Sequence, residues 1–198
     1  MSISDMFVCS IGYNCRTLPT KIKGKRLREY NTWRGMLQRC TEKIWLIRPT
    51  YIGTTCSDNF KNYSYFYKWC NEQIGFNSKD ENGRVWHLDK DILNKGNKLY
   101  SEDTCVFVPS EINCILTKRE NGRGDNYLGV SFIKGTNKFK ATCNDTGVSQ
   151  HLGFFDTEEE AFQAYKLYKE IVIKQTAEKY RDRLDPRAYQ AQIGRAHV

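Results

Sequence analysis

The stretch Leu152-Gly153-Phe154-Phe155-Asp156-Thr157-Glu158-Glu159-Glu160-Ala161 decides the fold of the C-terminal half. It joins the end of an apolar, strand-like run to the start of a helix. Thr157 and Glu160 stand three apart, the spacing of a capping box. In that motif the threonine oxygen accepts from one free amide and the glutamate reaches back to another. The helix so opened places Ala161, Ala164, Tyr165, Tyr168, Ile171 and Val172 on one face and runs to about Tyr180.

Upstream of this junction the pattern changes period. Tyr127–Ile133, Lys138–Cys143 and Ser149–Phe154 alternate as short strands, separated by the turn-formers Gly135-Thr136-Asn137 and Asp145-Thr146-Gly147. The expectation for 127–182 is a three-stranded antiparallel sheet packed on one helix. A period of two assigns the faces. Val130, Phe132, Phe139, Ala141, Cys143 and Leu152 turn toward the helix. Ser131, Ile133, Lys138 and Lys140 turn outward, as do Thr142, Asn144, Ser149 and His151.

This module resembles the APETALA2/ethylene-response-factor type of DNA-binding domain. The carriers are Tyr127-x-Gly129-Val130, Lys138-Phe139-x-Ala141, Leu152-Gly153-x-Phe155-Asp156-Thr157-x-Glu159-x-Ala161 and Ala164-Tyr165. The resemblance implies a sheet lying in the major groove of duplex DNA with the helix behind it. The implied DNA-binding residues are Ser131, Lys138, Lys140, Thr142, Asn144, Ser149 and His151. Arginine paired to guanine is the commonest specific base contact, and this face has none. Lysines on phosphates and Asn144 on a base remain available. The alternative is a sheet that only docks another protein.

The rest of the chain carries the charge. Net charge is +8 from 31 basic and 23 acidic residues. Residues 1–124 hold 20 Lys and Arg against 13 Asp and Glu, whereas 125–198 hold 11 against 10. An excess concentrated in one half favours a basic face toward a polyanion; plain solubility is the competing account. Within it, Lys21-Ile22-Lys23-Gly24-Lys25-Arg26-Leu27-Arg28 packs five positive charges into eight residues. That run is either a solvated tether or a phosphate-contacting arm.

The expected divisions are a basic segment over 1–28, a helical region over 29–120, a glycine-containing linker over 121–126, the sheet module, and a tail over 183–198. Residues 193–198, Ile-Gly-Arg-Ala-His-Val, read as a translated sequencing adaptor, so His197 enters no site argument. Tyr30 to Cys40 and Tyr63 to Ile74 have helical spacing, with Asn31 as the expected N-cap of the first. Their many aromatic residues fit a hydrophobic core better than base stacking. Val85–Leu93 reads as a strand, and Asn94–Asn97 as the turn of a hairpin. Ser110 caps a short helix reaching Lys118.

Leu88-Asp89-Lys90-Asp91-x5-Asn97, followed by Thr104-Cys105-Val106-Phe107-Val108-Pro109-x-x-Ile112-Asn113, looks like a degenerate ββα-metal (HNH) nuclease motif. The resemblance implies Asp89 and Asn113 as ligands of one divalent ion, magnesium by its hard-oxygen preference. Lys90 stands where the general base belongs, and Thr104 where the central asparagine belongs. A protonated lysine has no lone pair to offer. His87, two positions from Asp89 along one strand, is the substitute base, which makes His87, Asp89 and Asn113 the catalytic candidates. A hydrogen-bonded structural histidine is the bland alternative, and so is an ordinary charged strand pairing Asp89 and Asp91 with Lys90 and Lys95.

The whole chain is thus expected to be α+β: an N-terminal helical, ββα-metal-like region and a C-terminal three-stranded sheet on one helix. Phage proteins of the two families join these modules in this order. The implied protein is of phage or mobile-element type, an endonuclease of homing type that nicks or cuts duplex DNA. The alternative is a DNA-binding or regulatory protein whose nuclease site has decayed. Eight cysteines without any C-x-x-C pair fit reduced, buried thiols better than zinc. No segment approaches a membrane span, nor does Met1–Cys15 read as a secretory leader, so the expected location is the host cytoplasm.

Overall fold

A computed structural model describes residues 7–116, 126–145 and 147–195. Most of the expected linker, the end of the helix after Leu116 and the last three residues lie outside them. The fold is α+β, and the chain forms two compact units, one of residues 1–109 with 183–188, the other of 110–182 with 189–198. The division falls at Pro109, before the expected linker, so the helix after it groups with the sheet module. No described helix is long and apolar enough to cross a membrane.

The first unit opens with two small hairpins, β1 (Phe7–Val8) with β2 (Gly12–Tyr13), and β3 (Lys21–Ile22) with β4 (Lys25–Arg26). The basic run is thus a hairpin, not a tether. Lys23 and Gly24 at its tip both have positive φ, the pairing a tight two-residue turn requires. Helix α1 (Arg28–Arg39) follows, then α2 (Glu42–Ile47) and a 3-10 turn at Pro49–Tyr51. Asn31 does not cap α1. The helix starts earlier, after an extended Leu27, whose amide is held by the Thr20 carbonyl at 2.9 Å. Strand β5 (Thr55–Cys56), α3 (Asp58–Lys61) and α4 (Tyr63–Glu72) come next. Asn62 caps α4 by accepting from the amides of Ser64 and Tyr65.

The aromatic residues of these helices make the core of this unit. Trp33, Phe60, Tyr63 and Phe66 are fully buried, and Trp69 nearly so. Trp33 and Tyr63 rings meet at 5.2 Å, Phe60 and Trp69 at 4.6 Å, and Trp69 leads to Phe107 at 6.0 Å. The Trp33 indole N–H donates to the Phe60 carbonyl at 2.8 Å, so even its polar atom is satisfied. Each such side chain contributes about 1.5–3 kcal/mol on burial.

Strands β6 (His87–Asp89), β7 (Leu99–Tyr100) and β8 (Val106–Val108) complete the unit. The hairpin expected across Asn94–Asn97 does not form. Strand β6 pairs antiparallel with β8, His87 opposite Val108 and Asp89 opposite Val106, while β7 runs parallel to β5.

The second unit begins with α5 (Ser110–Leu116) and continues through β9 (Val130–Ile133), β10 (Lys138–Asp145), β11 (Val148–Phe155) and α6 (Glu158–Tyr180). A final helix, α7 (Pro186–Arg195), closes the described chain. The sheet has β10 at its centre and is antiparallel throughout. Helix α6 packs on all three strands. The capping box forms: the Glu160 amide donates to Thr157 Oγ1 at 3.2 Å, and the Thr157 amide to Glu160 Oε2 at 3.1 Å. Ala141, Cys143, Ala161 and Tyr165 are buried between sheet and helix. Gly129, at φ +78°, lies so close to the Tyr165 ring that a Cβ there would sit 2.1 Å from it. Beyond the sheet, α6 turns Val172 and Ile173 onto Ile115 of α5, and Glu111 accepts from Lys179 and Tyr180 at 2.9 and 2.8 Å.

Candidate nucleic-acid interface

The sheet face turned away from α6 is set by its register. Lys140 lies between Ser131 and Phe154, Thr142 is opposite His151, Asn144 is opposite Ser149, and Lys138 is opposite Ile133. All seven residues expected to contact DNA therefore fall on one face. Lys138 is engaged by Asp156 at 3.0 Å. Lys140 makes no ion pair among the described residues. Asn144 folds its side chain over the turn, Oδ1 accepting from the Gly147 amide at 2.9 Å, which leaves its amide nitrogen to donate.

One inward assignment needs correction, and a second keeps its face but is only partly covered. Leu152 is the extra residue of a β-bulge, between Gly153 opposite Ala141 and His151 opposite Thr142. Phe132, on an edge strand, stays 40% exposed although its ring meets Phe139 at 5.1 Å. The bulge also brings out a residue that strict alternation had hidden. Phe154 joins the outer face, 51% exposed, with its ring 4.9 Å from that of His151. A glycine inside a strand pattern, Gly153, is the sequence signal that would have found it.

In the first unit the β3–β4 hairpin exposes Lys21, Lys23, Lys25 and Arg26. Arg28 is different. Its guanidinium lies over the Phe76 ring at 4.4 Å and donates to the Trp86 carbonyl at 2.6 Å, so it sits half-buried against the core. Burial pulls its pKa down from the ordinary arginine value.

The catalytic candidates are placed as follows. His87 is exposed on β6 and makes no hydrogen bond among the described residues. Partial desolvation of its ring, then the charges of Arg28, Arg39 and Arg84, hold its pKa below the usual histidine value. Asp89 is buried, and its Oδ1 accepts from the amides of Asp91 at 2.9 Å and Ile92 at 2.8 Å. Burial, then the neighbouring Asp91 carboxylate, push its pKa up. Asn113 lies on α5, in the other unit.

Around Asp89 the loop is riveted by residues outside the catalytic set. The buried Lys90 ammonium donates to the Asn97 carbonyl at 2.5 Å and to Asp91 at 3.4 Å. Asn97 returns its side-chain amide to the carbonyls of Lys90 and Leu99 at 2.6 and 2.7 Å. Thr104, in the place of the central asparagine, donates to the Leu99 carbonyl at 2.7 Å. These bonds close the connection between β6 and β7.

No family model, curated protein or solved structure matches the chain.

A magnesium centre fits these side chains poorly. One Asp89 oxygen is spent on two backbone amides, and an ammonium is buried at the next residue. Among the described residues no group of three or more His, Cys, Asp or Glu could hold a metal ion. All eight cysteines are unpaired, five of them buried: Cys40, Cys56, Cys70, Cys105 and Cys143.

Proposed function

We propose that the chain binds duplex DNA through the outer face of its three-stranded sheet, with the exposed basic hairpin at 21–26 adding phosphate contacts, and that its ββα-metal-like segment is a scaffold without nuclease activity. The observation that carries this reading is the register that aligns Ser131, Lys140 and Phe154, then Thr142 and His151, then Asn144 and Ser149, on one face braced by α6. Donors, acceptors, an aromatic ring and a cation that makes no ion pair among the described residues are the materials of groove and backbone contact. The non-catalytic part rests on Asp89, whose carboxylate ends a strand. This reading makes the chain a regulatory or accessory DNA-binding protein, of the phage or mobile-element type that the family resemblance implies.

Fluorescence anisotropy with short duplexes across a salt series tests the binding. Affinity should fall steeply with salt, with a log–log slope of about −0.9 per phosphate neutralised. A salt-independent or undetectable interaction would sink the proposal in favour of a protein-docking module.

One observation favours a second reading, magnesium-dependent nicking: the exposed His87 imidazole, which makes no hydrogen bond among the described residues, two residues from Asp89. Incubating supercoiled plasmid with the protein and magnesium or manganese separates the two. Nicking that disappears in His87→Ala and Asp89→Ala while binding persists would establish the endonuclease.

A further inference from the structure

We infer that α2 and the turn after it form an apolar wedge for a parted base step of duplex DNA, an inference that rests on the DNA-binding reading above. Leu46 and Ile47 on α2 are 87% and 69% exposed, and Ile52, just past the 3-10 turn, is 57% exposed. Single exposed aliphatic residues are ordinary on protein surfaces. Three within seven residues make a patch that asks for a partner. The opposite face of α2 is anchored, because Ile44 and Trp45 are half-buried and the Trp45 indole N–H donates to the Arg39 carbonyl at 2.9 Å. The segment is also closed by its own backbone. Arg48 donates to Ile44 at 2.7 Å, Ile52 to Pro49 at 3.0 Å and Thr54 to Tyr51 at 2.9 Å. The bare side chains are therefore held on a firm base.

Charge identifies the occupant. Lys43 stands three and four positions before Leu46 and Ile47, on the same helical face, and is exposed; Arg48 follows them and is exposed too. Lys98 donates to the Thr50 carbonyl at 2.6 Å, fixing a third cation at the turn. From residue 42 to 52 the one acidic residue is Glu42. An apolar tip rimmed by cations fits a partner with an anionic rim and an apolar interior. Duplex DNA offers both, with phosphates outside and base faces inside once a step unstacks, and inserted Leu and Ile side chains kink it there. A six-residue helix presents too little apolar surface to hold a membrane.

The full chain is tested on mixed-sequence duplexes carrying 2-aminopurine at pyrimidine–purine steps and a donor–acceptor dye pair at the ends. Wild type should raise 2-aminopurine emission and shorten the end-to-end distance. Leu46→Ala/Ile47→Ala should abolish both signals and weaken binding about tenfold, with melting temperature and salt slope unchanged. Lys43→Ala/Arg48→Ala should instead lower the salt slope by about two. Wild type that binds a straight, fully stacked duplex overturns the wedge and leaves the DNA-binding proposal standing. Failure to bind any duplex overturns both. A dimer in sedimentation that the Leu46/Ile47 double variant dissolves would give this face to a second copy of the chain and overturn the wedge.

Discussion

The His151 ring meets the Phe154 ring edge-on, centroids 4.9 Å apart, although residues three apart on a regular strand face opposite sides. The bulge at Leu152 makes this possible, because one extra residue in β11 resets the alternation against β10. Gly153, at φ +140°, takes the backbone turn that the reset requires. The outer face thereby gains an aromatic ring beside Lys140.

That ring gives the first expectation. Phe154→Ala should weaken duplex binding by about 1 kcal/mol or more through a lost apolar base contact. Its effect on stability should be about 0.5 kcal/mol or less, because the side chain is half outside. Anisotropy titration and a urea midpoint measured on the same variant check both halves.

The two lysines of the outer face should behave differently. Lys138 already has Asp156 at 3.0 Å, whereas Lys140 has no ion pair among the described residues. Lys140→Ala should reduce the salt slope of binding by about 0.9, the share of one phosphate. Lys138→Ala should reduce it less. Equal losses would show that Asp156 releases its partner on binding.

Stability of the sheet module should hinge on two backbone positions. Gly129→Ala must place a methyl against Tyr165 and keep a positive φ, and should cost about 2–4 kcal/mol. Thr157→Ala removes the capping box and should cost about 1 kcal/mol. Urea unfolding followed by near-ultraviolet circular dichroism ranks the two.

A further pair of variants addresses Asp89. Its pKa is raised by burial and by Asp91, so its favourable contribution is complete below the ordinary aspartate value and is lost as pH rises through the raised one. Asp89→Asn keeps an acceptor for the amides of Asp91 and Ile92 without the buried charge. Its stability at pH 7 should equal or exceed wild type, with a flatter profile between pH 4 and 7. Asp89→Ala strands two amides and should cost about 1–3 kcal/mol. Denaturation midpoints across that pH range decide the matter.

What the sequence made legible was local. The capping box at Thr157, the turns between strands and the helical spacing of Trp33, Met36 and Leu37 each depend on neighbours within a few residues, and each stands where expected. Long-range competition hid the rest. Val85–Leu93 has a strand pattern and a turn after it, yet the Asp89 carboxylate captures two amides and ends the strand, and β6 pairs with β8 instead. Asn31 had the right chemistry for a cap, but the Leu27 amide, tied to Thr20, fixed the helix start one turn earlier. Arg28 has the look of one more charge in a basic run, but Phe76 and Trp86, far along the chain, hold it half-buried against the core. On the outer face, seven of the contact candidates followed from parity alone, and Phe154 was lost to a single inserted residue.

Helix α6 spends its first turns on the sheet and its last on α5, through Val172, Ile173 and the Glu111 bonds to Lys179 and Tyr180. One rigid rod therefore serves as backing plate at one end and as clasp at the other. Shortening the protein at the rod's midpoint would leave the plate in place while baring an oily seam on α5, so the smallest useful fragment of this region starts before Glu111 and ends after Tyr180.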